Sequence, residues 1–209
     1  MRALLILLLT ATIARAEGEK AGAFDYYVLA LSWTPTWCAT AGDARRAPEC
    51  SAQANRGWAL HGLWPQYHRG WPSCCTSARR PPSRAMSAGM ADIMGSAGLA
   101  WYQWKKHGRC TGLSGADYYA LARKAYDAVR RPDVFEQLTQ PVTLPARVVE
   151  AAFLRDNPAL EPDMVTITCQ QGRIQEVRIC LSRDLDPVPC GQDVMRDCRL
   201  KDARLDPVR

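Results

Sequence analysis

Histidine is scarce in this chain of 209 residues: His61, His68 and His107 are all it holds. Two of them stand in unusual local contexts, Trp58-Ala59-Leu60-His61-Gly62-Leu63-Trp64-Pro65 and Trp104-Lys105-Lys106-His107-Gly108-Arg109-Cys110. An imidazole can give or take a proton near neutral pH, so a pair can serve as acid and base in one reaction. Lys106 adds a fixed cation, which stabilises a transition state that gathers negative charge more than it stabilises the ground state. Such chemistry requires no metal and no cofactor. Each segment alone also has a plainer reading. His61 fits a hydrogen-bonded core histidine, and Lys105-Lys106-His107 fits the solvated basic end of a helix. His68 reads as a surface loop residue.

The elements that must hold these residues can be read from pattern. Residues 24–31 are aromatic and aliphatic, lie between Gly22 and Pro35, and predict a central strand. Residues 34–56, with Cys38 and Cys50, lack periodicity and predict a disulfide-closed loop. The short apolar run 57–61 predicts a buried strand that stops at Gly62 and Pro65, with His61 at its end. An exposed loop follows over residues 66–87, rich in proline and arginine, and helical pattern returns over 87–99.

Residues 101–110 predict an amphipathic helix, with Trp101 and Trp104 at i and i+3. On it Gln103, Lys106 and His107 fall at i, i+3 and i+4 and project from one face. Ser114 and Asp117 predict a capped helix that ends before Pro132, and another helix is expected over residues 145–155. Residues 164–169 and 173–181 are β-rich runs around Gln170-Gln171-Gly172, a hairpin signal. The tail reads as loop tied down by Cys190 and Cys198. Strands and helices do not alternate in βαβ fashion. The expectation is an α+β single domain with a mainly antiparallel central sheet flanked by helices, stabilised by disulfides.

The chain opens with Met1-Arg2, an apolar run over residues 3–13 and Ala14-Arg15-Ala16, the pattern of an export signal cut after Ala16. The domain is then residues 17–209, secreted or periplasmic, and the apolar run is too short to span a membrane. Without the signal, 25 basic residues face 21 acidic ones, a net charge of +4 that suits a polyanionic partner without demanding one. Nine cysteines in an oxidising compartment predict four disulfides and one leftover thiol. Zinc is the competing use, but there is no C-x-x-C pair.

Taken together, the two histidine segments closely resemble the active-site segments of the ribonuclease T2 family of secreted endoribonucleases. The first matches through His61-Gly62-Leu63-Trp64-Pro65, the second through Trp104, Lys106-His107-Gly108 and Cys110. Residues 24–33 look like that family's opening strand, and Trp71-Pro72-Ser73 before a cysteine is also similar. The clear resemblance runs from residue 24 to about residue 113.

The resemblance implies cleavage of single-stranded RNA to a 2′,3′-cyclic phosphate and then a 3′-phosphate. His107 would be the base, His61 the acid, and Lys106 the group that stabilises the phosphorane. Trp64 and Trp71 would line a base-binding pocket, unless they are core or loop anchors. The implied disulfides are Cys38–Cys50, Cys75–Cys110, Cys169–Cys198 and Cys180–Cys190. That leaves Cys74 free in a monomer, or free to join a second chain.

The chain departs from the family pattern at Tyr102-Gln103, where His-Glu is common. Gln103 carries no charge, yet its amide and the Tyr102 hydroxyl can both hydrogen-bond a phosphate oxygen. The departure bears on the pH optimum. It also raises an alternative, a silenced member of the same fold that acts as an exported RNA-binding or signalling protein. A hydrolase with a metal at His61, His68 and a cysteine is a third reading.

Overall fold

Strand β1 (Tyr26–Trp33) is the spine of the sheet. In the computed structural model, which describes residues 19–209, it pairs antiparallel with β2 (Trp58–Gln66) on one side and β5 (Arg173–Leu181) on the other. Three more strands complete the sheet: β3 (Val142–Leu144), β4 (Val165–Gln170) and β6 (Ala203–Leu205). The order is β2-β1-β5-β6-β3, with β4 also on β5, and only the single β5–β6 contact is parallel. The α+β, mainly antiparallel expectation holds. The expected export signal, residues 1–16, lies outside the described residues.

Side-chain alternation along β1 sorts its residues between two layers. Tyr27, Leu29, Leu31 and Trp33 enter the main core, beneath α3 (Ala91–Met94), α4 (Ala97–Lys106), α5 (Gly115–Ala128) and α6 (Ala146–Asp156). Tyr26 and Val28 point the other way and pack with Cys180 and Val194. Two more short helices precede these, α1 (Thr34–Trp37) and α2 (Arg84–Ala88).

Local signals were obeyed where local chemistry decides. Ser114 Oγ accepts the Asp117 N–H at 3.2 Å and opens α5, which stops before Pro132. Gln171 and Gly172 both have positive φ, 51° and 75°, as a two-residue hairpin turn between β4 and β5 requires. The loop over residues 34–57 is closed by Cys38–Cys50, although short helical turns fill much of it.

Several expectations fail, among them the helix over residues 101–110, which starts earlier, at Ala97, and ends at Lys106. Strand β2 does not stop at Gly62: it runs on through Pro65 to Gln66. Because β2 is the edge strand, a residue without an N–H is tolerated there. The tail is not all loop, since β6 pairs with β3. Trp101 is not on the packed face of α4: it is 41% exposed while Trp104 is buried. The four disulfides are those the resemblance implied, and Cys74 is free and exposed.

Candidate active site

His61 lies inside β2, not at its end. Ala30 pairs with Gly62 and Leu31 with Leu60, so His61 is the extra residue of a β-bulge. A regular strand would send Leu60 and Leu63 to opposite faces. With one residue added, both enter the core, and His61 and Trp64 both face the other layer.

The second histidine closes α4. His107 is the residue after the last helical turn, with φ −121° and ψ −49°, and its N–H still donates to the Gln103 carbonyl. From there the chain tightens into a 3-10 turn over Gly108–Thr111. The neighbouring loop is pinned to this end: Cys74 N–H donates to the Lys106 carbonyl at 2.8 Å, and Cys75 is bonded to Cys110. Tyr118 on α5 donates to the Leu63 carbonyl at 3.1 Å, tying the helical layer to β2.

Two glycines of the motifs are required by space. A Cβ on Gly62 would lie 2.5 Å from Trp64 Nε1 and 2.7 Å from Gln103 Oε1. Those two atoms share a hydrogen bond, Trp64 donating to Gln103 at 2.8 Å, so Gly62 leaves room for the bridge between the segments. A Cβ on Gly108 would lie 2.6 Å from the Tyr118 ring.

His61, Trp64, Gln66, Trp71, Tyr102, Gln103, Lys106, His107 and Arg178 line a single cleft of about 420 Å³. All seven residues singled out in the sequence are among them. The Trp64 ring lies between the histidines, its centroid 5.1 Å from that of His61 and 5.3 Å from that of His107. Arg178 sits over the same ring at 5.4 Å. Trp71 and Tyr102 are more than half exposed, on the rim. Gln103 is buried with its carbonyl committed to Trp64, and Lys106 Nζ is 6.0 Å from the Tyr102 ring centre. His68 lies elsewhere, exposed beside Asp25. Among the described residues the one grouping with metal-ligand spacing is Cys38, Asp43 and Cys50, whose sulfurs are already joined.

The two imidazoles have opposite surroundings. Burial, then the neighbouring Lys106 and His61 charges, push the His107 pKa down from 6.5 to about 3. His61 instead meets a carboxylate, its Nδ1 2.5 Å from Glu176 Oε1. Glu176 is buried on β5 and also accepts from Ser32 Oγ and, through its second oxygen, from Arg178. Burial alone would raise its pKa, but the His61 and Arg178 bonds and charges prevail and hold it at about 2.

Neither Glu176 nor Arg178 stood out in the sequence. A signal was present, an acid and a base two residues apart on one face of a largely apolar strand that also holds Arg173 and Gln175, but it does not say what they meet.

A model of the Ribonuclease T2 family matches residues 24–190. The chain belongs to the ribonuclease T2 family. This family member is 49% identical over 108 residues to a ribonuclease of Aeromonas hydrophila. That stretch covers 52% of the chain and 47% of the relative, so the chain spans about half of that relative's length. Its fold matches that of an RNase-related protein from Calystegia sepium with a TM-score of 0.68 at 19% identity. The match covers 90% of this chain and 98% of that one. It also matches RNase NT in complex with 5′-AMP, with a TM-score of 0.62 at 17% identity over 89% and 99% of the two chains.

Proposed function

We propose that this member of the ribonuclease T2 family is a metal-independent endoribonuclease that cleaves single-stranded RNA. The observation that carries the reading is one cleft that holds a lysine and two histidines in unlike electrostatic surroundings. An acid and a base are best told apart by environments that drive their protonation apart. His107, kept neutral, is the base, and His61, beside a carboxylate, is the acid.

In the first step His107 takes the proton of the ribose 2′-OH and the 2′-oxygen attacks phosphorus. His61 gives its proton to the departing 5′-oxygen, which leaves a 2′,3′-cyclic phosphate. Lys106 stabilises the extra negative charge on the phosphorane. In the second step a water loses its proton to His61, and His107 returns its own to the 2′-oxygen, which leaves a 3′-phosphate. A base with a pKa near 3 is a weak one, but a bound phosphate brings negative charge beside His107 and reverses part of that shift. Gln103 and Tyr102 hydrogen-bond phosphate oxygens, and Trp64 with Trp71 shapes the base pocket, where a flat aromatic face accepts any base.

Four disulfides support export of the domain, residues 17–209, to the periplasm or the exterior. The protein acts as a monomer unless Cys74 joins a second chain.

The test is cleavage of mixed-sequence single-stranded RNA, and separately of DNA, in excess chelator from about pH 4 to 9. Cleavage of RNA alone, with cyclic and 3′-phosphate ends, is expected. His61→Ala and His107→Ala should each lose roughly 10²- to 10⁴-fold in rate. Either variant retaining full activity removes that histidine from the mechanism. No cleavage by folded, fully disulfide-bonded protein would turn the reading to a silenced RNA-binding protein.

A further inference from the structure

We infer that Glu176 is a positioning residue for His61: it fixes the orientation of the ring and which of its nitrogens serves the reaction. The inference rests on the ribonuclease reading and deepens it.

At this level β1 offers only Ala30 and Ser32 to the site face, opposite Arg178 and Glu176 of β5. The bulge residue His61 can therefore reach across β1 to Glu176, 115 positions away in sequence. The carboxylate divides its bonds. Arg178 takes Oε2 through two nitrogens, at 3.0 and 2.8 Å, while Oε1 receives His61 Nδ1 and Ser32 Oγ. Because Arg178 takes only one carboxylate oxygen, the second is left for His61 and Ser32.

An ionised carboxylate only accepts, so Nδ1 must be the donor. Neutral His61 is then the Nδ1–H tautomer, with the lone pair on Nε2. Protonated His61 carries its transferable proton on Nε2. In the first step Nε2–H goes to the 5′-oxygen, and in the second Nε2 takes the proton of water, while Nδ1–H stays on Glu176 throughout. The ring need not turn over between steps, which preserves alignment. Glu176 is ionised across the working pH range, because its bonds outweigh burial. The cleft around His61 also carries Arg178 on β5, Lys106 and His107 at the end of α4 and Asp193 from the C-terminal segment, and a neighbouring cleft that His61 shares is lined by Arg45, Glu49 and Arg56. Of these carboxylates, Glu176 is the one bonded to the His61 ring. With Gln103 uncharged, the carboxylate that meets a catalytic histidine lies on the sheet, not on the helix.

Two experiments test this. In wild-type protein without RNA, nitrogen-15 NMR of the ring, assigned by loss of its signals in His61→Ala, should show neutral His61 as the Nδ1–H tautomer. The Nε2–H tautomer would overturn the inference, and this result stands whether or not the protein cleaves RNA.

The second compares Glu176→Gln in the wild-type and His61→Ala backgrounds. In the wild type, kcat should fall about 10- to 100-fold with little change in KM. In the His61→Ala background the same change should cost less than about twofold, because residues that act as one unit are not additive. Glu176→Asp, which keeps the carboxylate, should restore part of kcat. Equal losses in both backgrounds, with no rescue by Glu176→Asp, would mean that Glu176 only supports the fold.

Discussion

His61 and His107 are the same side chain with two different tasks, and the difference lies in what surrounds each ring. His107 is buried against Trp64 beside Lys106, with its Nδ1 unpartnered among the described residues. His61 is a third exposed and bonded to a carboxylate. Gln103 sits on the His107 side of the cleft, where this chain lacks a charge the family commonly carries. Gln103→Glu would place a carboxylate there and favour protonated His107, so the acid limb of the pH–rate profile should move to higher pH. A pH series of kcat/KM on the variant checks this, and an unchanged acid limb would put residue 103 outside the range of the base. The motif residues were legible because rare histidines stood in distinctive segments. Glu176 was not, because nothing near it in sequence shows which strand will lie alongside.

At the scale of elements, the site depends on two local irregularities, the bulge in β2 and the abrupt end of α4. The bulge lets one strand serve the core with Leu60 and Leu63 and the cleft with His61 and Trp64. The sequence reading ended the strand at Gly62 because glycine and proline usually mark such ends. In the fold, Gly62 makes room for the Trp64–Gln103 bond and Pro65 is accommodated on an edge strand. Gly62→Ala should therefore force these groups apart and cost about 1 to 3 kcal/mol of stability, as overpacking does. Its denaturant midpoint should fall, and kcat should fall with it under conditions where the variant is still folded. A variant as stable and active as wild type would show that the bridge between the two segments is dispensable.

For the whole molecule, the same charges that divide the labour make stability depend on pH. In the folded state His107 and Glu176 both titrate well below their ordinary ranges, near 3 and 2 against 6.5 and 4.5. At acid pH the unfolded chain therefore binds more protons than the folded one, and stability declines as pH falls. The stability these groups confer should be complete above about pH 6.5 and lost progressively towards pH 2, at no more than about 1.4 kcal/mol per pH unit for each group. Urea midpoints measured from pH 8 downwards check this, and a midpoint constant between pH 7 and 4 would contradict it. The sequence by itself determined what short-range physics controls: the alternation of β1, the cap of α5, the turn at Gln171-Gly172, and the two segments that carry the histidines. Nine cysteines by count alone left the pairing open, and it was the resemblance that supplied it. Only the tertiary structure decided the bulge at His61, the short β3–β6 pairing, and the meeting of His61 with Glu176. Each depends on the register between segments far apart in the chain, which is set when the core closes and has no signature within a few residues of any of them.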